Sequence, residues 1–319
     1  MTAPRFHWLA AVALAAAAGI AVVHAQAPPA PPPARVQLSA KLRTTLDRLA
    51  AEATGVVGIG VVDLSSGERW GVNETLVFAQ GSAIKIPLLI ELFRRADAGE
   101  LALTDRKTLT AADRTGGSSL LQYFADGGSA FSLHDLAVPM IVQSDNTATN
   151  MLIDAVGMDH VNRTMASLGF AQTKLRRKMI RPEASGRGDE NVSTPREAVD
   201  LMVRLSRCDL PLTAASCAEV RRLLELPKGG EFRQPIPAGL RVAWKPGGLE
   251  GVSTAWGLVA LPGAPYAVSI MVNYGNAQPG EVVRAVSAAV YQHFALLAGA
   301  TPFGTRVDPA LVRKPGSGA

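Results

Sequence analysis

The sequence predicts an α+β fold, an α/β/α sandwich built on a mainly antiparallel sheet. Three observations predict it. Two β-branched strand patterns follow the first helix pattern and are joined by a tight turn. A long block of helix patterns then intervenes, after which three more strand patterns and a last helix follow. Strands linked by hairpins pair antiparallel. The two outermost helices can cover one face of the resulting five strands, and part of the helical block the other. The rest of that block forms an all-helical lobe, with a cleft where the lobe meets the sheet.

The elements follow in order. Residues 1–25 read as a signal peptide: Arg5 lies in a short polar start, an apolar run spans 8–23, and Val23-His24-Ala25 is a small-residue cleavage site. The run is shorter than a spanning helix needs, so export with cleavage is expected, and no membrane attachment afterwards. Residues 26–35 are proline-rich and predict an extended spacer. The folded domain is expected over 36–306, with an unpacked tail at 307–319. Leu42, Leu46 and Leu49 give helical spacing over 39–53. A hairpin is predicted from 56–64 and 68–73 around Ser65-Ser66-Gly67. Helix patterns cover 82–98, with Pro87 near its start, then 132–143, 146–156, 159–168, 195–206 and 218–226. Strand patterns return at 240–245, 254–261 and 266–273, with turns at Gly247-Gly248 and Pro262-Gly263, and 281–298 reads as the closing helix. Cys208 and Cys217, the chain's two cysteines, can pair in an exported protein and staple the turn between two helices.

Composition removes several functions. The chain is 48% hydrophobic and 18% charged, which excludes a disordered tail protein. A net charge of +5 over 319 residues is too small to argue for nucleic-acid binding. His134, His160 and His293 form no zinc-binding pattern, so no metal and no cofactor is expected. There is no Gly-x-Ser-x-Gly elbow, no phosphate loop and no dinucleotide fingerprint.

Three short motifs remain: Ser82-Ala83-Ile84-Lys85 at a helix start, Ser144-Asp145-Asn146 in the helical block, and Lys245-Pro246-Gly247 at a strand end. Ser82 at a helix N-terminus meets free N–H groups and the positive end of the helix dipole. Lys85, one turn on, lies on the same face. Burial and the helix end should both lower its pKa, so that a neutral amine can take the Ser82 proton directly or through a water.

In order, spacing and local setting, these motifs resemble the penicillin-recognising serine hydrolases, most closely the class A β-lactamases. The resemblance extends to Gly58-Ile59-Gly60-Val61, to Val142 through Asn150, to Ser193-Thr194-Pro195-Arg196 and to Lys245 through Gly251. It implies that Ser82 is acylated and that Ser144 shuttles a proton to the leaving nitrogen. It implies that Asn146 orients Lys85 and the substrate amide, and that Lys245 and Gly247 serve the substrate carboxylate. The backbone N–H groups of Ser82 and Gly248 would form the oxyanion hole. The implied partner is a small molecule, a β-lactam or a cell-wall peptide, bound by a monomeric periplasmic or secreted protein. A D-alanyl-D-alanine peptidase, an esterase or a penicillin-binding protein that does not turn over would use the same residues.

The chain departs from the pattern in two places. The family's deacylating glutamate would fall near Lys178, in the basic run Lys174, Arg176, Arg177, Lys178 and Arg181. Glu183 is the nearest carboxylate and the candidate substitute, and slow deacylation is expected. Pro246 stands where a hydroxyl residue is usual, with Ser253 or Thr254 as compensating candidates.

Overall fold

The computed structural model describes Met1 and residues 33–276 and 278–306. The expected signal peptide apart from Met1, most of the expected spacer and the expected tail lie outside those residues.

Five strands form one antiparallel sheet: β1 (Val56–Asp63), β2 (Arg69–Val72), β7 (Val242–Leu249), β8 (Val252–Val259) and β9 (Tyr266–Asn273), in the order β2-β1-β9-β8-β7. Helices α1 (Pro33–Glu52) and α9 (Pro279–Leu297) cover one face. Leu42 and Leu46 of α1 and Val283, Val286, Val290 and Phe294 of α9 meet Val57, Ile59, Val268 and Ile270 there. On the opposite face lies α7 (Pro195–Arg207), whose Pro195 carbonyl accepts a 2.6 Å bond from Ser269 Oγ.

The helical lobe is built around α2 (Lys85–Asp97), buried without interruption from Lys85 to Phe93. Around it pack α3 (Leu133–Val142), α4 (Asn146–Val156), α5 (Met158–Ser167) and α8 (Ala214–Glu225). Cys208 and Cys217 form a disulfide that ties the end of α7 to α8. None of the described helices is long and apolar enough to cross a membrane.

Four boundaries differ from expectation. The described part of helix α1 starts at Pro33, so the last three residues of the expected spacer are helical. Helix α8 begins at Ala214, because Thr213 caps it by accepting the Ser216 N–H. Strand β7 runs on through Pro246, Gly247 and Gly248 to Leu249, so the turn falls at Glu250–Gly251. As an edge strand, β7 has alternate N–H groups facing away from the sheet, and a proline fits there. Strand β8 starts correspondingly early, at Val252. Two small ribbons were not foreseen: β3 (Phe78–Ala79) with β6 (Val192–Ser193), and β4 (Arg106–Thr108) with β5 (Ala130–Ser132). Strands of two or three residues are too short to carry a period.

Candidate active site

The backbone of Gln80 to Ala83 and strand β7 make the closest approach in the site. Residues Gly81–Ile84 form a 3-10 turn that feeds into α2. Gly81 has φ +50, and a Cβ on it would stand 2.6 Å from the Gly248 nitrogen. A Cβ on Gly247 would stand 2.1 Å from the Gln80 carbonyl oxygen and 2.7 Å from the Ala83 nitrogen. Only glycine permits this contact, which brings the Gly248 N–H to the turn carrying Ser82. Thr254 Oγ1 fastens the other side with a 2.8 Å bond to the Gln80 carbonyl. That use removes Thr254 as a substitute for the hydroxyl missing at Pro246.

Ser144 sits in the corner between α3 and α4 with φ +55, a left-handed conformation that non-glycine residues adopt only where surroundings impose it. Asp145 imposes it. Its buried carboxylate accepts from the N–H groups of Leu120 at 2.6 Å, Leu121 at 2.9 Å and Ala148 at 2.8 Å, and from Ser119 Oγ at 3.1 Å. The middle residue of the motif is therefore the fastening of the corner and leaves its neighbours free.

Both buried lysines converge on Ser144. Lys85 Nζ donates to Ser144 Oγ at 3.1 Å, to the Ser144 carbonyl at 2.7 Å and to Asn146 Oδ1 at 3.1 Å. Lys245 Nζ donates to Ser144 Oγ at 3.0 Å and to the Pro246 carbonyl at 3.0 Å. Each lysine is 0% exposed, and among the described residues neither has a carboxylate at ion-pair distance. Burial pushes Lys85 down to about 7, against a smaller upward pull from Asp145. Burial also holds Lys245 well below the usual lysine range, reinforced by the positive charges of Lys85 and Lys228. An amine titrating near 7 and touching a hydroxyl can accept and return a proton at neutral pH.

A cavity of about 430 Å³ opens beside this cluster. Ser82, Asn146 and Gly248 share its lining with Gly117, Ser118, Met179, Ile180, Arg181 and Leu249, and among the described residues no Asp or Glu lines it. Asn146 Nδ2 donates to the Gly116 carbonyl at 3.1 Å. Thus Ser82, Asn146 and Gly248 meet in one space, with Lys85, Ser144, Lys245 and Gly247 grouped beside it.

Glu183 is not brought to this cavity. Pro182 opens a single-turn helix, α6 (Pro182–Gly186), and Glu183 in its first turn is exposed. Lys178 also turns away and pairs with Asp154. Among the loop residues that face the cavity is Met179, only 5% exposed. Asn150 clamps its backbone, accepting the Met179 N–H at 2.8 Å and donating to its carbonyl at 3.2 Å. Of the basic run, Arg177 is buried against Glu190 at 2.6 Å, and Asn191 takes the Arg176 and Arg177 N–H groups.

Sequence reasoning passed over three supports. Asn150 was findable, lying four residues after Asn146 on the same helix face. Gln80 was not. It is fully buried, receives the Trp256 indole N–H at 2.9 Å and donates to the Phe78 carbonyl at 2.9 Å, which holds the turn before Ser82. Met179 was missed by one position, because counting back through a loop gives no side-chain direction.

The sequence pattern of the β-lactamase enzyme family matches residues 41–294. A β-lactamase from Rhodobacter capsulatus is 27% identical over 164 residues, 51% of this chain and 55% of that relative. The chain thus aligns with little more than half of that relative's length. The crystal structure of a β-lactamase from Sphaerobacter thermophilus is 33% identical, covering 81% of this chain and 98% of its own, with a TM-score of 0.73. A variant of PBP-A, solved as an acyl-enzyme complex with penicillin G, is 27% identical over 82% of this chain and 97% of its own, with a TM-score of 0.72.

Proposed function

Because the chain belongs to the β-lactamase enzyme family, we propose that it is an exported serine hydrolase that opens the β-lactam amide through an acyl-Ser82 intermediate and releases it slowly. The observation that carries this reading is the pair of buried amines on Ser144 Oγ, beside a cavity that Ser82 shares.

In the proposed reaction the Ser82 oxygen attacks the β-lactam carbonyl carbon while its proton passes to neutral Lys85. The negative charge that develops on the carbonyl oxygen is met by the N–H groups of Ser82 and Gly248. The C–N bond then breaks, and the proton reaches the leaving nitrogen from Lys85 through Ser144. The product is a Ser82 ester and a free amine. Lys245, beside Ser144, takes up positive charge as the substrate carboxylate arrives, and Asn146 holds the substrate amide. Hydrolysis of the ester needs an activated water, and an acid-free lining with Met179 at the loop position disfavours it.

Intact-mass measurement after mixing with benzylpenicillin tests the reading. The expected result is a persistent adduct on the full chain and none on Ser82→Ala; an adduct retained by Ser82→Ala ends the assignment. Met179→Glu places a carboxylate in the cavity and should shorten the adduct's life by about 100-fold. A second reading, a D-alanyl-D-alanine peptidase or esterase, is favoured by the same lack of a carboxylate. It requires release of D-alanine from a D-alanyl-D-alanine peptide, or of an alcohol from an ester, by the full chain and not by Ser82→Ala.

A further inference from the structure

We propose that Arg181 selects substrates whose acyl side chain carries a carboxylate. The proposal deepens the reading above and rests on it.

The argument begins with the wall of the cavity beyond Asn146. A Cβ on Gly117 would lie 3.1 Å from Asn146 Nδ2 and 3.4 Å from Ile180 Cδ1. Asn146, Gly117 and Ile180 are therefore contiguous. An acyl side chain that runs past Asn146 meets the loop at 179–182 next. Arg181 lines the cavity there, and its Nη1 donates to the Ile180 carbonyl at 3.2 Å. That bond fixes one guanidinium nitrogen and leaves the planar fork available for a carboxylate.

Charge separates Arg181 from Arg177 and Lys178, while Lys174 and Arg176, likewise without an ion pair among the described residues, do not line the cavity. Arg177 is neutralised by Glu190 and Lys178 by Asp154. Among the described residues, Arg181 has no carboxylate at ion-pair distance, and no acid lines the cavity to compete for it. The neighbouring surface is apolar, supplied by Met179, Ile180, Pro182 and Leu249. A side chain with an aromatic or aliphatic body and a carboxylate matches both halves of that wall. A cation there meets repulsion from Arg181 with no counter-charge.

A matched pair of penicillins isolates the effect. Carbenicillin is benzylpenicillin with one carboxylate added on the side chain. The measurement is the second-order rate constant for acylation of the full chain, by competition against a chromogenic cephalosporin. The expected result is a preference for carbenicillin. The carbenicillin-to-benzylpenicillin ratio should fall about fivefold in Arg181→Ala, the size expected of one partly exposed charge pair. Arg181→Glu should lower the ratio further, and Arg181→Lys should restore most of it. Loss of both rates in equal proportion, or an unchanged ratio, overturns the proposal while acylation itself still stands. Failure of both penicillins to acylate the unaltered protein overturns the reading of the site instead. Arg181 is exposed, and the melting temperature of each variant should match the parent.

Discussion

Lys85 carries the pH behaviour of the proposed chemistry. Its amine acts as a base only when neutral, and burial sets the change near pH 7. Acylation by benzylpenicillin should therefore rise with unit slope below about pH 7 and level off above it. A pH–rate profile that is flat from 5.5 to 8 contradicts that role. Lys85→Arg keeps the charge at every pH and should cost about 100-fold or more in acylation. At this scale the sequence was informative where chemistry sits in contiguous runs: Ser82 with Lys85, Ser144 with Asn146, Lys245 with Gly247. It was silent where a residue matters through distant neighbours. Nothing near Gln80 announces Trp256 as its partner, and nothing in the motif announces the four donors that Asp145 gathers.

Between elements, the contact of β7 with the turn before α2 decides whether Gly248 and Ser82 lie side by side. Gly247→Ala drives a methyl into the Gln80 carbonyl. It should lower stability by about 1–3 kcal/mol and reduce acylation of the remaining folded protein, as urea unfolding and adduct kinetics would show. The disulfide acts elsewhere, between α7 and α8, closing a loop of sequence separation 9. Cys208→Ser with Cys217→Ser should cost about 2–3 kcal/mol in urea unfolding and leave the acylation rate of folded protein in place. The hairpins and the helix over 146–156 were readable because turn and strand signals are local. The continuation of β7 through Pro246 was not, because whether a proline fits depends on the strand being at an edge.

At the scale of the molecule, two apolar cores lie on opposite faces of one sheet. The candidate catalytic cluster belongs to the side of the helical lobe, and α1 and α9 brace the other. Leu46 of α1 is 1% exposed in that outer core. Leu46→Ala should lose about 2–5 kcal/mol on thermal unfolding, with Ser82 acylation per folded molecule unchanged. A loss of acylation without a loss of stability would mean that the two faces are not separable. The layered α+β plan was legible because the strand patterns fall in two groups separated by a helical block. Which helix covers which face was less so, since α7 lies in the middle of the chain and yet packs on the sheet.

The thioether of Met179 sets the terms on which such a protein would meet a drug. On the slow release proposed above, each copy would disarm one molecule and then stay occupied for the life of its ester. Protection would scale with the number of copies made and not with time, as the capacity of a buffer does. To a protein of that kind, a lasting inhibitor and an ordinary antibiotic are the same compound.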